Sequence, residues 1–328
     1  MLDVLIRLME EGDFKKCLRL AEQLMLKGGW SLSEMATINL AICRCRLGIN
    51  DPYGAIAAGM LAVKLAKDTG EYDLLGRSLL NLGTAYVGIR QYDQALQQFY
   101  SYLEFRPEYK EARRLEGAIW RHIGVTHQRK LESQKAVEAL TRARDWFSDQ
   151  GIDYSTFTCN HDLINTYLQM HETDTVSTLE PVKDLLLHQK LIANRNRRDT
   201  YYQGTYLLDV AATYLAEGRI GRAMVAANKG LEVHRGDRIH AFHCQMVLYK
   251  CSIERGDPRR ALGHALAARV QAVEGRFYEL EFLSSQAMAD VIKQQGPEMV
   301  RQLDEEYLAM GVDLGQYLSP WVLRRETQ

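Results

Sequence analysis

His240, His243 and Cys244 are the nearest approach to a metal-ligand cluster in the sequence. A metal needs three or four converging donors, and on a helix only His240 and His243, at i and i+3, share a face without another obvious partner. No metal site is therefore expected. Cys43 and Cys45 lie two apart on a helical pattern and point to different sides, which argues against a disulfide or a paired ligand set. Carboxylate runs such as Asp304-Glu305-Glu306 fall on surface positions and read as solubilising charge. The patterns GxxxxGK[ST], GxGxxG after a strand, HExxH and GxSxG are absent. Neither an enzyme nor a cofactor is expected. If there were chemistry, His161, Asp162 and His243 would be the titrating groups to carry it.

The bulk composition points the same way. The 328 residues exceed the span of one compact core, so the chain is either several domains or an elongated array. Only six prolines occur, which favours long helices. A net charge of -1 removes the bulk electrostatic argument for nucleic acid, and binding to it is not expected. The one concentrated basic patch, NRNRRD at 194–199, reads as a solvated turn between helices. Six cysteines without a CxxC pair suit reduced, buried thiols of a cytoplasmic protein. The N-terminal MLDVLIRLMEEGDFKK is too short and too acidic for a signal peptide, and no run is long enough to cross a membrane.

A repeat supplies the elements that must position any functional side chain. In 79–107, Leu79, Leu82, Gly83 and Tyr86 fall on one face of a helix, and Ala95, Phe99 and Tyr102 on one face of the next. Gly83 and Ala95 let the two backbones approach, Tyr86, Tyr92 and Phe99 fill the seam, and Pro107 stops the second helix. The same grammar recurs at Trp120, Ile123, Gly124, Ala136, Leu140 and Ala143, and at Leu207, Val210, Ala211, Tyr214, Ala223 and Ala227. The small residue of each second helix is Cys17, Ala55, Ala95, Ala136, Ala223 or Ala261. The 244 residues from first to last, in six steps, give a period of about 41. A double gap after Ala136 predicts a degenerate repeat over 164–191, with Pro181 in the first turn of its second helix.

These positions resemble the tetratricopeptide repeat (TPR). The resemblance implies an all-α, right-handed α-solenoid of about seven antiparallel helix pairs. The array is expected over residues 1–275, with C-terminal capping helices over 276–328, broken at Gly296-Pro297 and continued by a helix bearing Met299, Leu303 and Tyr307. Trp321 is expected to dock on that cap. Aligned on Gly12, the first helix lacks its opening turns; either the array starts short or something preceded residue 1. The period exceeds the usual 34 residues, so the helices are expected to be longer. That long period resembles the quorum-sensing peptide receptors of the Rap, NprR and PlcR type, without a helix-turn-helix domain in these residues.

In such arrays the first helix of each pair lines the concave face. The resemblance therefore places Asn39, Arg77, Asn81, Arg121, His122, His161, Asn165, Asp209, His243 and Lys250 in a groove. The set is polar without being of one sign, and Asn39, Asn81 and Asn165 offer amides that can pair with the main chain of an extended peptide. The expected partner is a peptide or protein segment. The alternatives are a scaffold for a folded protein, or the ligand-sensing part of a transcription regulator. Pairing into a homodimer stays open.

Overall fold

The computed structural model describes residues 1–105, 115–176, 178–234, 236–275 and 277–295, with short stretches at 301–302, 305–306 and 308–309. The expected stop at Pro107 lies outside these residues. So do the Gly296-Pro297 break, Met299, Leu303, Tyr307 and Trp321.

Among the described residues there are fifteen α-helices and no strand. They alternate as first and second members of seven pairs: α1 (Leu2–Glu10) and α2 (Phe14–Lys27), α3 (Leu32–Gly48) and α4 (Pro52–Thr69), α5 (Tyr72–Gly88) and α6 (Tyr92–Phe105), α7 (Glu116–Arg129) and α8 (Ser133–Asp149), α9 (Asp153–Glu172) and α10 (Glu180–Arg195), α11 (Thr200–Ala216) and α12 (Ile220–Val233), α13 (Arg238–Glu254) and α14 (Pro258–Gly275). A further helix, α15 (Tyr278–Gln295), follows. The fold is an all-α helical repeat solenoid.

One turn geometry closes the first helix of every pair and, in every pair but α9 and α10, leads straight into the second helix. The amide following the turn donates to a carbonyl five residues back, as in Gln91 N to Tyr86 O (2.9 Å), Glu132 N to His127 O (2.9 Å) and Arg219 N to Tyr214 O (2.8 Å). The residue before that donor is left-handed each time: Gly12, Asn50, Arg90, Leu131, Asp174, Gly218 and Gly256. This closure satisfies carbonyls that a helix end leaves orphaned, and it sets the angle at which the second helix returns. In three pairs an aspartate then caps the second helix: Asp13 accepts from Lys16 N at 3.3 Å, Asp51 from Gly54 N at 2.9 Å and Asp257 from Arg260 N at 3.0 Å. Pro181 sits at the start of α10, where its missing amide is harmless.

The repeat register is visible in the packing. Cys17, Ala55, Ala95, Ala136, Ala223 and Ala261, each the fourth residue of its helix, are all 0% exposed, and in the degenerate repeat Val182, the third residue of α10, is also 0% exposed. Phe99 and Tyr102 are also fully buried. A methyl group on Gly83 would collide with the Phe99 ring, so the glycine is where α5 and α6 close. Tyr102 stands where the repeat pattern has alanine, and its bulk is admitted by Gly76, whose added Cβ would lie 3.0 Å from the ring. All six cysteines are free and buried, and burial pushes the Cys43 and Cys159 thiols up to about 12.

Two compact units make up the chain, Met1–Thr166 and Tyr167–Gln328, with the boundary inside α9. In the first unit α1 meets α3, and α3 meets α5, more extensively than any second helix meets the next; in the second, α11 meets α13 likewise. The more closely spaced layer of a stack is its inner one, so the first helices form the inner face within each unit. In the second unit Ala287, Met288 and Val291 of α15 pack onto Ala261, Leu262, Ala265 and Leu266 of α14. No helix among the described residues is long and apolar enough to cross a membrane.

Candidate functional site

In the first unit α5 carries Asp73, Arg77 and Asn81 at four-residue intervals, one stripe of one helix. The Arg77 guanidinium donates from Nε to Asp73 Oδ2 at 2.8 Å, and Asn81 Nδ2 donates to the Arg77 carbonyl at 2.8 Å. One of two amide protons is used in that bond; Asn81 stays half-buried, with a second N–H and a carbonyl to offer. A cavity of about 380 Å³ adjoins this stripe, lined by Ile6 and Met9 of α1, Thr37, Leu40 and Ala41 of α3, and Asp73, Leu74 and Arg77 of α5. Its wall is apolar apart from Thr37, Glu71, Tyr72 and the Asp73–Arg77 pair.

The next two first helices are tied by charge. Arg121 Nε on α7 donates to Asp162 Oδ2 on α9 at 2.6 Å, with the carboxylate side chain 13% exposed. Beside it, His122 is half-buried and packs on Phe99 with ring centroids 5.6 Å apart. Desolvation, reinforced by the neighbouring Arg121 charge, holds His122 down at about 4, so the ring is neutral at pH 7. On α9 the Asn165 amide nitrogen lies 3.1 Å from His161 Nε2, and both residues are half-buried.

Arg77, Asn81, Arg121, His122, His161 and Asn165 thus all keep part of their surface open, on three successive first helices of the first unit. Asn39 does not. It is 4% exposed and spends its amide on the Met35 carbonyl at 2.8 Å. The reason is register: α3 and α5 have equal length and the same closing turn, so Asn39 occupies the packing position that Leu79 fills in α5. The residues of α3 that line the cavity are Thr37, Leu40 and Ala41.

In the second unit Asp209 is likewise interior. It is 1% exposed and accepts from Gln189 Nε2 of α10 at 2.8 Å, which makes it a tie between α10 and α11. His243 and Lys250 are exposed on α13, and the Lys250 ammonium reaches Glu172 at 2.6 Å. The NRNRRD segment covers the last two residues of α10 and the turn into α11, exposed apart from the half-buried Asn196, with Asp199 accepting from Tyr201 N at 2.9 Å.

Two features escaped the sequence reading. Asp73 is the partner that positions Arg77, and the i, i+4 spacing of acid and base was the available signal. One group of three possible metal donors also converges among the described residues. It consists of His234, Asp237 and His240 rather than His240 with His243. The spacing H-x-x-D-x-x-H from 234 to 240 was its signal, hidden because His234 falls in a turn.

No protein-family model matches the sequence, and no curated protein sequence matches it. Solved structures do share its fold. The apo form of RapI is 15% identical over 83% of this chain and 97% of its own, with a TM-score of 0.64. NprR in complex with its cognate peptide NprX is 12% identical over 94% of this chain and 87% of its own, with a TM-score of 0.62. The apo form of the quorum sensor NprR from B. thuringiensis is 12% identical over 86% and 78%, with a TM-score of 0.57. At these identities the likeness is one of fold: a TPR-like array similar to those of the Rap and NprR quorum-sensing proteins.

Proposed function

We propose that the protein is a non-enzymatic, cytoplasmic regulator that holds a short extended peptide along the first-helix face of its repeats. One observation carries this reading: three successive first helices present exposed or half-buried groups of mixed hydrogen-bonding character, Arg77 and Asn81, Arg121 and His122, then His161 and Asn165. An amide and an imidazole pair with main-chain N–H and C=O groups whatever the peptide's side chains, while a guanidinium suits a carboxylate. The cavity beside Arg77 has the apolar wall that a single hydrophobic side chain of such a peptide would fill. The structural likeness to NprR, which is known with a bound peptide, supports the same use of the array. On the second unit, taken by itself, His243 and Lys250 are the exposed candidates for contact with a partner.

Calorimetry of the full chain against a library of short linear peptides tests this. At least one peptide should bind tighter than about 100 µM, about −5.5 kcal/mol, and Asn81→Ala and Arg121→Ala should each weaken it about tenfold. A library without any such binder would sink the proposal. An adaptor for a folded protein is the second reading, favoured by α4, where Tyr53, Met60 and Leu61 are 75%, 55% and 40% exposed on a second helix. That reading requires a folded partner whose capture survives Asn81→Ala but not Tyr53→Ser.

A further inference from the structure

The junction between α12 and α13 holds a polar cluster that the repeat pattern does not need. His234 caps the C-terminal end of α12 and is 4% exposed. Its Nε2 is buried without a well-formed hydrogen bond and lies against the backbone of Gly204 on α11, so closely that a methyl group there would collide with the ring. An apolar side chain would fill this space without stranding a buried nitrogen, so the imidazole calls for a reason beyond packing.

Two further donors face it. Asp237 caps the N-terminus of α13, its Oδ1 accepting from Ile239 N at 3.1 Å and His240 N at 3.2 Å. Those bonds fix the carboxylate so that Oδ2 meets His240 Nδ1 at 2.7 Å. The His240 ring stacks on His234 with centroids 4.3 Å apart and planes 16° from parallel. One ligand atom from each of the three residues falls within 4.8 Å of the others.

We propose that His234, Asp237 and His240 form a binding site for a zinc-like, first-row divalent cation. Two imidazoles and a carboxylate are a borderline donor set of the kind that suits zinc, and three protein ligands leave a fourth position for water. The cation takes the place of the proton that His240 Nδ1 and Asp237 Oδ2 now share. That proton moves to Nε2 of the same ring, where Thr205 Oγ1, 3.1 Å away, accepts it. No net proton is released from His240, and Thr205 holds the ring in the ligating tautomer. Because the two rings are stacked, one turns about its Cβ–Cγ bond so that both lone pairs meet the ion. A cavity of about 510 Å³, lined among others by Tyr201, His234, Asp237, Ile239 and Phe277, provides room for that turn and for the water.

Titration of the full chain with zinc chloride by calorimetry, and with cobalt chloride by visible absorption, tests the site at pH 7.5. One equivalent of each should bind tighter than about 10 µM, with the cobalt d–d bands of a low-coordinate nitrogen and oxygen site. His240→Gln and Asp237→Asn should each weaken binding at least tenfold while keeping the helical circular dichroism of the parent. His171→Gln, a histidine of the same unit outside the cluster, should not. Uptake weaker than about 100 µM, or a loss of less than tenfold in both cluster variants, overturns the proposal. No peptide enters this experiment, so its outcome is independent of the groove reading.

Discussion

Helices α5 and α11 have the same length, open their pairs the same way and end in the same turn, so their residues correspond one to one. Gly76 answers to Gly204, Arg77 to Thr205, Asn81 to Asp209 and Tyr86 to Tyr214. The fates of these residues differ. Arg77 is exposed and Thr205 is 0% exposed; Asn81 is half-buried and Asp209 is 1% exposed. Gln189 from α10 and His240 from α13 reach over α11 and bond to Asp209 and Thr205, whereas on α5 the stripe bonds within its own helix. A repeat position thus sets where a side chain starts. The neighbouring repeats decide whether it ends in a groove or in a core.

The paired positions give direct ways to break this contrast. The largest effects belong to the second unit. Asp209→Ala removes the acceptor of a buried bond and strands Gln189, which should lower stability by about 1–3 kcal/mol. Asn81→Ala should stay within about 0.5 kcal/mol and act on peptide binding instead. Equal urea midpoints for the two variants would mean that burial does not separate them. Gly204→Ala drives a methyl group into His234 and should destabilise by about 1–3 kcal/mol, more than Gly76→Ala, whose added carbon meets Tyr102 at 3.0 Å. Reversal of that order would show that the imidazole moves aside freely.

Acid acts on one histidine in each unit. His122 in the first unit and His234 in the second are both held down at about 4, against an ordinary value of 6.5. The unfolded chain binds protons at these rings before the folded one does. Their contribution to stability is therefore complete above about pH 6.5 and is lost as pH falls towards 4. Urea midpoints should drop over that window, and the slope should flatten in the His122→Gln, His234→Gln double variant; an unchanged slope would assign the acid sensitivity to other groups. Smallest is a gain at a turn. Leu131 holds a left-handed backbone at 72% exposure, so Leu131→Gly should stabilise the first unit by about 0.5–1 kcal/mol. Arg90→Gly, at the matching turn one repeat earlier, should do the same by thermal melt.

Much of the scaffold was legible because the repeat writes it several times. A buried alanine or cysteine once per period, a glycine opposite an aromatic ring and a turn residue at fixed distance are local, and each copy corrects the others. Pro181 could be placed at the start of α10 for that reason. The candidate groove was legible only where the register was. Arg77, Asn81 and Arg121 follow the clearest repeats and keep exposed or half-buried side chains. Asn39 belongs to a copy with fewer markers, and a shift within the helix turned a packing residue into a supposed ligand contact.

The sequence by itself determined the helices, their pairing and their period, since these rest on apolar spacing and turn chemistry between residues close along the chain. Only the tertiary structure decided which polar side chains remain available. Asp209 meets Gln189, Arg121 meets Asp162, and His234 meets His240, each through the return of a different helix. Burial and pairing of a polar group depend on what packs over it, and the partner lies at a different distance along the chain each time, 20 residues for Gln189 and Asp209 and 41 for Arg121 and Asp162, so no one spacing marks it.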